Sequence, residues 1–125
     1  MFRSNDQGVG WLMLSLSNHQ RYFLYRDVVD MRKGIDGLSG LVRDYLKLDP
    51  LSGDVYLFLN RKRNQVKLLM WDKDGFALYY KRLEAGTYEL PVGSDTAIGM
   101  DVLLCILQGI RLTAMRKRKR YEQAT

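Results

Sequence analysis

The chain predicts an α+β fold: a mostly antiparallel sheet of four or five strands, one helix after the first strand, and a second, apolar helix near the C-terminus. Three observations predict it. Three β-favouring runs, residues 55–59, 66–71 and 76–83, follow one another with only short polar loops between them, the pattern of a β-meander. From Asp36 onward, Leu38, Leu41, Val42, Tyr45 and Leu46 fall at helical spacing. Residues 96–108 are apolar nearly all round and are bounded by Gly93-Ser94-Asp95 and by Gly109, so they read as a helix buried on several sides.

The elements follow in order. Tyr22-Phe23-Leu24-Tyr25 is a short aromatic run that favours a first strand. Asp36 is placed to cap the first helix, and Asp49-Pro50 stops it. Lys73-Asp74-Gly75 fits a three-residue hairpin with Gly75 in the left-handed conformation, which pairs Asp72 with Phe76. In that register Val66, Leu68, Met70, Leu78 and Tyr80 share the core face, while Lys67, Leu69, Trp71, Tyr79 and Lys81 share the other. Residues 87–90 add a short edge strand ended by Pro91.

At 125 residues and 14.6 kDa the chain is long enough for one hydrophobic core and too short for two. Residues 1–12 are expected to be an extension, 13–112 the domain, and 113–125 a basic, disordered tail. The formal charge of +6 is concentrated there: Arg116, Lys117, Arg118, Lys119 and Arg120 against Glu122 carry a net +4, leaving +2 for the rest. Such a tail attracts polyanions, nucleic acid first among them in a cytoplasmic protein, unless it only solubilises the chain. No apolar run reaches the roughly 18 residues of a membrane span, and the N-terminus lacks the pattern of a secretory signal. A cytoplasmic location follows, nucleoid-associated if the protein binds DNA. Cys105 is the only cysteine and stands in an apolar run, so disulfides and thiolate metal sites are excluded and a packed core thiol is expected.

Basic residues gather at three further places. Arg32 and Lys33 precede the first helix, where unpaired N–H groups favour phosphate and Gly34 and Gly37 permit close backbone approach. Read structurally, Asp30 pairs with Arg32 and fixes the turn. The loop Asn60-Arg61-Lys62-Arg63-Asn64, followed by Lys67, sets three cations side by side, better accommodated beside a polyanion unless they merely solubilise a hairpin tip. The third place is the sheet face with Trp71 and Tyr79 as base-stacking rings and Lys67, Lys81 and the adjacent Arg82 as phosphate contacts, unless the second helix covers it. The expected register also sets Lys67 opposite Lys81, an unfavourable like-charge pair.

Signals for catalysis and cofactors are poor. His19 is the only histidine, and no phosphate-binding glycine motif is present. Asp30, Asp36, Asp72 and Asp74 would be the carboxylates of a magnesium site, but Asp72, Asp74 and Gly75 read as turn residues, Asp30 and Gly34 as a second turn, and Asp36 as a cap. The expectation is no enzyme, no metal and no cofactor.

Three segments in order carry a family resemblance: Asp30-Met31-Arg32-Lys33-Gly34-Ile35-Asp36-Gly37-Leu38, Asp49-Pro50-Leu51-Ser52-Gly53, and residues 71–86 from Trp71-Asp72-Lys73-Asp74-Gly75 to Tyr80-Lys81-Arg82-Leu83-Glu84-Ala85-Gly86. Over residues 13–111 the chain resembles the TnpB-type accessory protein, the second open reading frame product, of the insertion-sequence sixty-six transposable elements. The resemblance implies a non-catalytic accessory role in transposition. The charges add the expectation that the basic loop, the segment before the first helix and the tail grip DNA of the element ends while apolar surface contacts the separately encoded transposase. The rivals are a protein adaptor that touches no DNA and a metal-dependent nuclease subunit.

Overall fold

The computed structural model describes Ser17 and residues 19–109. Strand β1 (Tyr22–Leu24) leads to helix α1 (Ile35–Leu41), which runs on as a wider π-helical turn (Val42–Leu46). Strands β2 (Val55–Leu59), β3 (Gln65–Asp72) and β4 (Gly75–Arg82) form the meander, followed by β5 (Ala97–Ile98) and helix α2 (Met100–Gln108). The sheet order is β4-β3-β2-β1-β5. It is α+β and mostly antiparallel, but mixed, because β1 runs parallel to β2. The helical crossover between β1 and β2 is what allows two neighbouring strands to point the same way.

Alternation along the strands gives the sheet two apolar faces. Phe23, Tyr56, Phe58 and Leu69 face one way and are covered by Leu38 and Val42 of the α1 segment. Tyr22, Leu24, Leu57 and Leu68 face the other way and are covered by Leu103 and Ile106 of α2. The layers are therefore helix, sheet, helix. Phe23 stacks on Tyr56 with ring centroids 5.6 Å apart, tying β1 to β2 on the α1 side. Cys105 is buried. Among the described residues no helix is long and apolar enough to cross a membrane.

Several sequence expectations change at this level. The β3–β4 hairpin has two loop residues, so Asp72 pairs with Gly75 and Trp71 with Phe76. Lys73, not Gly75, holds the left-handed conformation (φ 59), and the Asp74 N–H closes tightly on the Asp72 carbonyl at 2.6 Å. A one-residue change in loop length turns every β4 side chain to the opposite face. Phe76 and Leu78 accordingly join the α1-side core, Tyr79 joins the α2-side core, and Lys67 stands opposite Tyr80 rather than Lys81.

Helix α1 starts one residue earlier than the expected cap. Gly34 is its N-cap without any side-chain bond, and Asp36 lies inside the first turn, where its charge suits the helix dipole. The π-helical turn adds a residue per turn and rotates Tyr45 outward, leaving it 70% exposed, off the apolar face that an α-helical period assigns it. Residues 87–90 form no strand, although Tyr88 is buried among the core residues and its N–H donates to the Arg63 carbonyl at 2.7 Å. The short edge strand is β5 instead. Residues 96–98 pair along β1, so α2 begins only at Met100, and the Gly93-Ser94-Asp95 segment does not cap it. The chain needs the left-handed Gly109 (φ 75) to leave α2. Residues 1–12, Met13 and the basic tail lie outside the described residues.

Candidate nucleic-acid interface

Because β1 and β2 are parallel neighbours, the segments that follow them leave the sheet at the same end. The Val29 N–H donates to the Leu59 carbonyl at 2.9 Å, fastening the segment after β1 beside the end of β2. Residues 28–32 and the loop after Leu59 thus become two walls of one groove of about 730 Å³, with Asp30, Arg32, Asn60, Arg61, Lys62 and Gln65 along its polar rims. Val28, Val29 and Met31 supply apolar lining. Two basic segments some thirty residues apart in sequence share one site.

The first wall is a rigid turn. Asp30 accepts the Arg32 N–H (2.9 Å) and takes the Arg32 guanidinium side-on, with Nη2 at 2.6 Å from Oδ2 and Nε at 3.0 Å. Those bonds hold the Asp30 carboxyl down at about 2, and Arg32 nevertheless remains 91% exposed. The Lys33 N–H closes the turn on the Asp30 carbonyl at 3.0 Å. Lys33's stem lies against Gly37, where a Cβ would come within 3.3 Å of it.

Lys67 fixes this wall from beneath. Its ammonium reaches from β3 to the carbonyls of Met31 (2.8 Å) and Lys33 (2.9 Å) and lies 5.5 Å from the Tyr80 ring centroid. With its donors so engaged, Lys67 acts on the backbone of the wall. The corrected register produces this arrangement, since it sets Lys67 opposite an aromatic ring rather than a lysine.

The second wall is stapled by asparagines. Asn60 Oδ1 accepts the N–H groups of Asn64 (3.0 Å) and Gln65 (2.9 Å), and its Nδ2 donates to Asn64 Oδ1 at 2.8 Å. Arg61 and Lys62 line the groove, whereas Arg63, left-handed at φ 57, does not. Among the described residues none of the three is ion-paired. Asn60 and Gln65 are the residues that sequence reasoning left unassigned. The signal was present in the pair of asparagines framing three cations, a pattern suited to side-chain-closed turns.

The other sequence candidates lie elsewhere. Trp71 packs edge-on against Phe76 on the α1 side, while Tyr79 is half-buried on the α2 side with its phenol pushed up by burial. No single exposed face carries both rings. Lys81 follows Tyr79's side of the sheet edge, and Arg82 pairs with Glu84 at 3.0 Å. Asp72 ends β3 and Asp74 sits in the hairpin turn. Among the described residues no group of three or more His, Cys, Asp or Glu side chains is gathered to hold a metal ion. The cations at Arg116, Lys117, Arg118, Lys119 and Arg120 lie outside the described residues.

The segment Asp49-Pro50-Leu51-Ser52-Gly53 belongs to the opposite end of β2. Asp49 Oδ1 accepts the Leu51 N–H, the Tyr56 hydroxyl donates to the Asp49 carbonyl, and Ser52 Oγ bonds the buried Asp54. Asp54 in turn receives Arg21 through Nε (3.0 Å) and Nη2 (2.8 Å). The segment is thus a structural brace, joining the start of β1 to the start of β2.

A family model described as IS66 Orf2 like protein matches residues 20–117. Among curated proteins the chain is similar to two from Sinorhizobium fredii (strain NBRC 101917 / NGR234). Uncharacterized protein y4jC is 29% identical over 108 residues, covering 85% of this chain and 92% of that protein. Uncharacterized protein y4hO is 33% identical over 100 residues, covering 78% and 87%. No solved structure matches the chain.

Proposed function

The chain belongs to the family of IS66 Orf2-like proteins, accessory proteins of an insertion sequence, and on that premise we propose that it serves transposition without itself cutting DNA, by gripping DNA of the element in the groove beside β1 and β2 and presenting it to the transposase. The observation that carries this reading is the convergence of Arg61 and Lys62 on one groove, facing the braced turn of Asp30 and Arg32 across it. Arg61 and Lys62 are exposed cations on a loop whose backbone is closed by Asn60, so their spacing is set before any ligand arrives. Pre-positioned cations meet phosphates without first losing the conformational freedom of a flexible loop. Phosphate contacts of this kind fix register and orientation on a duplex, the service an accessory factor can render to a transposase. The basic tail adds attraction that is independent of position.

Binding of a duplex carrying an element end, measured over a range of salt concentrations, tests the reading. Replacing Arg61 and Lys62 with Gln should flatten the salt dependence by roughly two slope units, about one for each lost phosphate contact. Arg63→Gln, outside the groove, should change it less. An unchanged slope in the double variant would leave the loop a solubilising tip and favour a protein adaptor that touches no DNA.

A further inference from the structure

The two outer edges of the sheet differ sharply in length: β5 has two residues and β4 has eight. Among the described residues no backbone group outside β3 bonds to β4. Which of its groups point outward follows from the ladder. The Leu83 N–H donates to the Asn64 carbonyl at 2.7 Å, continuing the β3–β4 register by one pair. Antiparallel pairs alternate between exchanging both bonds and exchanging none. Lys81, Tyr79, Ala77 and Gly75 therefore turn their backbone groups toward β3, while Phe76, Leu78, Tyr80 and Arg82 present theirs outward.

We propose that this edge is an interface for a second copy of the chain, with β4 pairing antiparallel to its twin about a two-fold axis at Leu78. In that register the edge sets opposite charges near one another. Centred on Leu78, the twin strands set Phe76 opposite Tyr80 and bring the exposed Asp74 of the hairpin turn, just before the strand, toward the exposed Arg82, twice over by symmetry. Moving the axis to Tyr79 sets Asp74 against Glu84, and moving it to Ala77 sets Lys73 against Lys81. Each of these two neighbouring registers brings like charges together. Arg82 meets Glu84 at 3.0 Å within one copy, but both side chains are more than half exposed, so the guanidinium exchanges that partner for Asp74 at little cost.

Side-chain chemistry along the edge agrees. Phe76, Leu78 and Tyr80 project to the α1 side, the first two partly buried and Tyr80 still 48% exposed. The twin would cover Tyr80 with Phe76. A long open edge is a template for uncontrolled strand addition, and a two-fold pairing closes it. With only two residues at the other edge the sheet cannot grow into a fibre. The product is a closed dimer with a continuous sheet, carrying two grooves on one body.

Sedimentation equilibrium of the full chain at micromolar concentrations should show a dimer. Asp74→Arg and Arg82→Asp should each weaken dimerisation about tenfold or more, since each creates two like-charge contacts. The doubly exchanged protein should regain the dimer. Leu78→Cys should form a disulfide between copies under mild oxidation, because directly opposed Cα atoms in such a pair stand about 5.5 Å apart, within disulfide range. The wild-type chain, whose Cys105 is buried, serves as control. A monomer at high micromolar concentration overturns the proposal. So does a dimer that ignores both charge reversals, or one in which Leu78→Cys does not cross-link.

Discussion

The two walls of the groove both read as basic in sequence, yet they dispose of their charge in opposite ways. On the first, Asp30 neutralises Arg32 within the turn, and Lys67 is committed to the carbonyls of Met31 and Lys33. On the second, neutral amides close the backbone and leave Arg61 and Lys62 without an ion-pair partner among the described residues. One wall uses its charges to hold its own shape. The other delegates shape to Asn60 and keeps its charges for a ligand. Counting lysines and arginines cannot separate the two cases, because what differs is where each ammonium or guanidinium finds its hydrogen-bond acceptors.

The comparison breaks most directly at Asn60. Asn60→Ala removes three side-chain bonds, at about 1 kcal/mol net each, so a loss of about 2–3 kcal/mol is expected in urea unfolding, with weaker DNA binding in the folded protein. An unaltered midpoint would show that the amide staple does not shape the loop. Lys67→Met comes next. It keeps the apolar stem but leaves two carbonyls without their charged donor, for an expected loss of about 1–3 kcal/mol. Lys67→Arg, with a planar fork in place of a compact ammonium, should not fully restore stability. If Lys67→Met instead leaves stability intact while flattening the salt dependence of DNA binding, the lysine is a phosphate contact and the walls are alike.

Asp30→Asn sharpens the contrast from the other side. It frees the Arg32 guanidinium and should steepen the salt dependence by up to about one unit, one more phosphate contact, with little change in melting temperature. Because Arg32 holds the Asp30 carboxyl down at about 2, the wild-type turn should keep its ion pair through mildly acid solution. Acidification from neutrality to pH 4 should therefore not mimic the Asn variant.

The smallest expected effect lies at Tyr88, which anchors the loop wall by bonding the Arg63 carbonyl through its N–H. Among the described residues its buried hydroxyl has no hydrogen-bond partner, and burial pushes the phenol up to about 12. The phenol ionises near 10 when unfolded, so the unfolded chain releases its proton first and stability falls as pH rises from 10 toward 12. Tyr88→Phe should be neutral or stabilising by up to about 1 kcal/mol at pH 7. Thermal melts at pH 8 and pH 11 should show a smaller alkaline loss in the variant. An equal loss would assign the alkaline sensitivity to the other buried tyrosines.

What the sequence determined by itself was local. Alternation and helical spacing act over a few residues, so the three meander strands, the first helix and the apolar helix are legible within a few residues of where they form. The turn at Asp30 and Arg32 is legible for the same reason, since a carboxylate two residues before an arginine reaches its N–H without help from the rest of the chain. The tertiary structure decided whatever depends on pairing across distance. One residue in the β3–β4 loop set the faces of β4 and sent Trp71 and Tyr79 to opposite sides of the sheet. The parallel pairing of β1 with β2 leaves no mark on either strand's own pattern, yet it brought residues 28–32 beside the Asn60 loop. Side-chain period fixes which residues can be buried, whereas strand direction and register are chosen by the burial of all layers at once.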